Sequence, residues 1–277
     1  MTRSARERLV EIAGRLIDPV LMAGAVEMRH YEAGVAVETK ADESPVTAAD
    51  REAEAILLTA LAEIAPDIPV IAEEAVSDGR VPAIGRTFFL VDPLDGTREF
   101  INKRGEFTVN VALIEDGQPV LGIVYAPAVG ELYATLEPGV ASFARLTPGS
   151  SERRASDCAF QPIQVRVPGL GLTAVASRSH KSPETEAFLE RYTIAERRDS
   201  GSSLKFCTVA RGEADIYPRL APTMEWDIAA GHAVLVAAGG AVTTPDGGPL
   251  RYGKTDSGFR NGYFVAWGAA QPIPARS

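Results

Sequence analysis

Leu90-Val91-Asp92-Pro93-Leu94-Asp95-Gly96-Thr97 is a hydrophobic run that delivers two carboxylates three residues apart and then turns through glycine. Hard divalent cations take oxygen ligands, so the two Asp side chains with the Leu94 carbonyl between them suit Mg²⁺ better than zinc. The same string also reads as a plain surface turn, because Asp-Gly pairs commonly close hairpins. Glu73 and Glu74 close a second apolar run, Pro69-Val70-Ile71-Ala72, which sets another acid pair at a strand end; adjacent glutamates are equally compatible with a solvated surface. Asp227 follows Trp226 at the start of an apolar helical stretch, where helix capping is the simpler use of an aspartate.

Elements that could position these acids follow from periodicity. Residues 5–30 space Leu9, Ile12, Ala13, Leu16, Ile17, Val20 and Leu21 as one face of a helix. After Gly34 and an extended AVETK, the segment SPVTAAD ends in a cap with Thr47 as N-cap and Asp50 at the third helical position, and a second helix runs to Pro66. Short apolar runs then read as strands of a mostly antiparallel sheet: PVIAEE, TFFLVDPLDG, FTVNVALIEDG, QPVLGIVYAP and ELYATLEPG. Residues 145–160 are polar and aperiodic, hence a loop or hairpin region close to the domain boundary. Beyond them strand and helix alternate through LTAVASRSH, SPETEAFLERY, TIAERRDSG, SSLKFCTVARGE, ADIYPRL, WDIAAGHAVLVAAGG and FVAWG, an α/β pattern. We therefore divide the chain into an α+β part, 1–155, and an α/β part, 156–277.

The chain has 277 residues, a net charge of −9 and 45% hydrophobic residues, enough to build a sizeable core. The acidic balance and the lack of a Lys/Arg block argue against nucleic acid or an anionic membrane as the main partner. Cys158 and Cys207 are too few and too isolated for a disulfide framework, so a reducing cytoplasm is the expected setting, with peripheral contact at the inner membrane left open. The charged start of the chain reads as an amphipathic helix rather than a signal peptide, and no stretch reaches 18 uncharged apolar residues.

Taken together, Glu73-Glu74, Asp92-Pro93-Leu94-Asp95-Gly96-Thr97 and Trp226-Asp227-Ile228-Ala229-Ala230-Gly231 resemble the inositol monophosphatase-like, lithium-sensitive phosphatases, in the family's order and approximate spacing; Asp50 matches a further acidic position. SPVTAAD (44–50), DPLDGTREFI (92–101), GEFTVNVALI (105–114), SRSH (177–180), GSSLKFC (201–207), YPR (217–219) and WDIAAGHAV (226–234) are more similar to the 3'(2'),5'-bisphosphate nucleotidase branch of the bacterial CysQ type. Arg98 departs from the Lys expected there, and Glu225 adds an acid with no assigned job.

The resemblance implies a layered α-β-α-β-α sandwich and a site with two or three Mg²⁺. Glu73, Asp92 and the Leu94 carbonyl would hold one ion and Asp92, Asp95 and Asp227 a second. Asp50, Thr97 and Glu73 would handle the attacking water. Gly96, Thr97, His180, Ser202, Lys205, Arg219 and Asp227 would contact substrate. Apart from the resemblance, His180 could neighbour a helix cap, and Lys205 and Arg219 could be ordinary surface cations. Metals are required on electrostatic grounds, since one like-charge pair at about 4 Å costs about 4 kcal/mol at an effective dielectric near 20. The implied reaction is removal of the 3'-phosphate of adenosine 3',5'-bisphosphate, with 3'-phosphoadenylyl sulfate as a second substrate, in sulfur metabolism. Inositol phosphates or a sugar bisphosphate are the rival substrates and a non-catalytic nucleotide sensor is the rival class. The partner is a small nucleotide, and the protein a monomer or homodimer. His30 and His232 are not expected to be ligands, Trp226 is expected to pack, and Cys207 to face the core.

Overall fold

The residues spaced at helical intervals near the start of the chain form one buried stripe, from Leu9 to Leu21, along α1 (Arg3–Ala33). These positions belong to a computed structural model that describes residues 3–34, 37–39, 45–149, 154–177 and 182–269. The paired strands β1 (Val37–Thr39) and β2 (Pro45–Thr47) lead into α2 (Ala48–Ile64). Thr47 caps α2 as its sequence suggests. Its Oγ1 accepts from the Ala49 amide at 3.2 Å, and its own amide donates to Asp50 Oδ2 at 2.8 Å.

Next come β3 (Val70–Ala72), α3 (Glu73–Ser77), β4 (Thr87–Asp95), α4 (Thr97–Ile101), β5 (Thr108–Glu115), β6 (Gln118–Ala126), β7 (Glu131–Glu137), β8 (Val140–Arg145) and β9 (Gln161–Ile163). Among the described residues the strands form a seven-stranded sheet in the order β3-β4-β5-β6-β7-β8-β9, with β3–β4 parallel and the other pairs antiparallel. Periodicity misses β8 and β9, because VASFAR is short and rich in small residues and QPI is three residues long with a proline. The stretch read as a loop or hairpin at 145–160 connects the antiparallel pair β8–β9, and its described residues hold the end of β8 and a 3-10 turn, Ala155–Asp157, tied to α1 by the Ala155 amide donating to Asp18 Oδ1 at 2.5 Å.

The remaining elements are β10 (Leu172–Ser177), α5 (Pro183–Leu189), β11 (Ile194–Ser200), α6 (Leu204–Ala210), β12 (Ile216–Arg219), β13 (Thr223–Met224), α7 (Glu225–Ala237), β14 (Ala241–Thr243), β15 (Arg260–Asn261) and β16 (Phe264–Trp267). A second sheet runs β11-β10-β12-β16-β14, and β13 pairs with β15.

Alternation along the central strands produces the layers. Phe89, Val91, Val109, Val111 and Leu113 pack against α1 and α2, while Phe88, Leu90, Ala112 and Ile114 face a cluster that includes Phe206 and Val209 of α6, Ile228 and Val234 of α7, and Tyr217 and Phe264 of the second sheet. The far side of the second sheet closes on α5 through Leu172, Ile216, Phe188 and Leu189. The order is therefore α-β-α-β-α. With both faces of the first sheet covered, β4 is apolar almost without interruption, as strands buried on two sides must be.

Candidate metal centre

Regular pleating would send Asp92 and Asp95, three residues apart, to opposite faces of β4. The strand prevents this. Its pairing with β5 is in register through Asp92↔Asn110, shifts, and resumes at Asp95↔Thr108. Pro93 has no N–H to give the ladder, and an irregularity of this kind re-aims side chains. Asp92 and Asp95 consequently line one cavity of about 300 Å³, together with Leu94 between them. Leu94 in turn donates its amide to Asp92 Oδ1 at 3.0 Å.

Two other elements end at the same place. Strand β3 stops at Ala72, so Glu73 opens α3 at the sheet edge, and Asp227 lies in the first turn of α7. Glu73, Asp92 and Asp227 each offer a carboxylate oxygen, all within 4.8 Å of one another. A solvated pair at Glu73-Glu74 is excluded by burial: Glu74 is buried and Glu73 half-buried. Asp227 is not the N-cap of α7. It sits at the third helical position and accepts the Met224 amide at 2.8 Å on Oδ2.

The electrostatics of this cluster are those of a site short of positive charge. Burial pushes the Asp95 carboxyl up to about 6, opposed by Lys205 and the Ser203 amide and reinforced by Glu73 and Glu99. Burial, then Asp95 and Glu73, hold Asp227 well above the usual carboxylate range. All the donors are oxygens, with no thiolate or imidazole among them, so the set fits a hard divalent cation.

Thr97 begins α4 behind Gly96, whose φ of +95° is open to glycine. Thr97 Oγ1 lies 3.4 Å from Asp50 Oδ1 and 3.4 Å from the Leu94 carbonyl, two acceptors for one proton. The other Asp50 oxygen takes the Thr47 hydroxyl at 2.6 Å. Gly96, Thr97, Ser202, Lys205 and Arg219 all line the cavity that holds the acids. Lys205 is no surface cation: it is buried, donates to the Ser202 carbonyl at 2.6 Å, and lies 5.4 Å over the Tyr217 ring. Burial lowers its pKa to about 8, against the opposing pull of Asp95. The Ser202 hydroxyl is directed to the Asp95 and Glu106 carbonyls, each at 2.8 Å. Arg219 Nε is buried without a hydrogen-bond partner among the described residues. Arg98 is exposed at the rim, and His180 lies outside the described residues.

A model of the inositol monophosphatase family matches residues 9–271. The chain belongs to the inositol monophosphatase family. It is 43% identical over 231 residues to the 3'(2'),5'-bisphosphate nucleotidase CysQ of Shigella flexneri, covering 83% of this chain and 88% of that one. It is 41% identical over 247 residues to the CysQ of Escherichia coli O157:H7, covering 88% and 95%. The crystal structure of CysQ from Bacteroides thetaiotaomicron superposes with a TM-score of 0.77 at 38% identity, over 94% of this chain and 97% of that one.

Three residues of this family member support the site in roles the motifs do not assign. Glu54 is buried on α2 and accepts the Glu74 amide at 2.8 Å, which fixes the start of α3 beside Glu73. The available signal was an acid on the apolar face of α2, one turn beyond Asp50. Ser203 gives its amide to Asp95 and its hydroxyl to the Asp227 carbonyl. Glu225, unassigned from sequence, is fully buried. The expected bystanders behave as such: His30 pairs with Glu52 at 3.1 Å, Cys207 is buried, Trp226 is buried beside Phe259, and His232 Nδ1 lies 2.8 Å from the Tyr252 hydroxyl.

Proposed function

We propose that the chain is a Mg²⁺-dependent 3'(2'),5'-bisphosphate nucleotidase that hydrolyses the 3'-phosphate of adenosine 3',5'-bisphosphate to AMP and phosphate, with 3'-phosphoadenylyl sulfate as a second substrate. The observation that carries this reading is one cavity lined both by the acids Glu73, Asp92, Asp95 and Asp227 and by the cations Lys205 and Arg219. Carboxylates alone would repel a phosphate ester, and cations alone would bind it without reaction.

Glu73, Asp92 and the Leu94 carbonyl would hold one Mg²⁺, and Asp92, Asp95 and Asp227 a second, with Glu73 open to a weaker third. Bound Mg²⁺ supplies neutralisation of these acids and polarisation of the phosphoryl group and its attacking water. Thr97 Oγ1, 3.4 Å from Asp50 Oδ1, would orient that water and pass its proton on to Asp50, with Glu73 assisting. The Gly96 and Thr97 amides offer neutral donors to phosphate oxygens. Lys205 and Arg219 would bind the 5'-phosphate, which a simple inositol monophosphate lacks, and Ser202 and His180 would contribute to the nucleotide. In this division residues 1–155 carry most metal ligands and 156–277 carry the nucleotide contacts and Asp227. Among the described residues no helix is long and apolar enough to cross a membrane. The cytoplasm is the setting we assign, with removal of a by-product of sulfate assimilation as the role.

A substrate panel with saturating Mg²⁺ tests the reading. Adenosine 3',5'-bisphosphate should be turned over faster than myo-inositol 1-phosphate or a sugar bisphosphate, and the reverse order would replace the nucleotide assignment. Lithium should inhibit.

A further inference from the structure

Two residues before Asp227, Glu225 is fully buried, a costly position for a carboxylate unless its lone pairs are matched. They are matched from one direction. Oε2 accepts the Gly253 amide at 2.7 Å, while Oε1 accepts the Lys254 amide at 3.0 Å and Lys254 Nζ at 2.6 Å. The Glu225 amide donates to the Phe259 carbonyl at 2.8 Å, and Asn261 Nδ2 donates to the Met224 carbonyl at 3.2 Å. The segment 253–261 is therefore a strap gripping the first turn of α7 at three successive points. That turn also sets the aim of the Asp227 carboxylate, whose Oδ2 is held by the Met224 amide.

We propose that Glu225 is a positioning residue of the metal centre, locking the first turn of α7 to the 253–261 strap so that Asp227 presents its carboxylate to Glu73 and Asp92. An apolar side chain at 225 would fill the space but orphan two part-buried amides, and the turn would lose its angular reference. A buried carboxylate serves because it accepts all three of these hydrogen bonds at once. The inference rests on the reading of Asp227 as a cation ligand.

Calorimetric titration of the metal-free protein with Mg²⁺ tests it, at a temperature where each variant is shown by circular dichroism to be folded. Glu225→Gln keeps the volume but turns an NH₂ toward a donor. It should bind Mg²⁺ about 10- to 100-fold more weakly, the usual effect of removing a group that orients a metal ligand. The nucleotide KM at saturating Mg²⁺ should stay unchanged. Lys254→Met, which removes one donor and spares both amides, should weaken Mg²⁺ binding to a smaller extent. A Glu225→Gln protein with a lower melting temperature but wild-type Mg²⁺ affinity overturns the proposal. So does an unfolded Glu225→Gln accompanied by an unshifted Lys254→Met. Asp227→Asn separates the two levels: if it binds Mg²⁺ normally the metal centre itself is misread, and if it does not while Glu225→Gln does, only the positioning role fails.

Discussion

Ser203 donates its hydroxyl to the backbone carbonyl of Asp227 at 2.6 Å, and its amide serves the carboxylate of Asp95. One residue ahead of α6 thus ties the end of β4 to the start of α7, so acids from opposite ends of the chain share a fixed frame. Ser203→Ala removes this bond, while the Asp227 carbonyl keeps its intrahelical acceptor role in α7. Urea denaturation should show a loss of about 0.5–1.5 kcal/mol, and the Mg²⁺ concentration for half-maximal activity should rise.

Gly96 adopts φ +95°, and a Cβ there would collide with Ser202 Oγ and lie 3.2 Å from the Glu106 carbonyl. Gly139 has a comparable φ of +76° with open space around it. Gly139→Ala should cost only backbone strain, about 1–2 kcal/mol. Gly96→Ala should cost more by the same denaturation assay and also lower kcat/KM, because displacing Ser202 disturbs the Asp95 carbonyl it bonds.

Thr97 and Asp50 bind no cation in the proposed assignment, so their loss should separate chemistry from metal affinity. Thr97→Val and Asp50→Asn should each reduce kcat by about 10²–10⁴-fold with calorimetric Mg²⁺ affinity retained. Thr97→Ser should recover most of the rate.

Arg219 lines the cavity, and its buried Nε has no hydrogen-bond partner among the described residues. Arg219→Gln should raise KM for adenosine 3',5'-bisphosphate by the equivalent of one charged hydrogen bond, about 1.5–3 kcal/mol. KM for adenosine 3'-monophosphate should barely move. Equal losses on both substrates would assign Arg219 to the reacting phosphate instead.

Asp95 titrates near 6 in the folded protein against 3.8 as an ordinary side chain. The folded state therefore binds this proton more tightly, and its contribution to stability is complete below about pH 3.8 and lost as pH rises through about 6. His232 has the opposite sign: burial drops it to about 3, so it favours folding above its ordinary 6.5 and loses that contribution as pH falls. Because His232 lies in a separate pair with Tyr252, its effect cancels in a with-minus-without Mg²⁺ comparison. The rise in melting temperature on adding Mg²⁺ should be small at pH 5 and larger at pH 7.5, measured by scanning calorimetry.

What the sequence by itself determined is local. The Thr47–Asp50 cap, the buried stripe of α1 and the DPLDG strand end involve residues within about four positions of each other, and such contacts follow from backbone geometry whatever the rest of the chain does. The family motifs carried the acids' identities for the same reason. Tertiary structure decided what those side chains can do. The shifted register around Pro93 brought Asp92 and Asp95 to one side, Glu54 reached the Glu74 amide across 20 residues, and Glu225 met Gly253 across 28. Lys205 became a buried partner of the acids, not a surface cation, only when α6 packed between two sheets. Desolvation and long-range hydrogen bonds depend on which surfaces meet, and residue types or spacing do not record that.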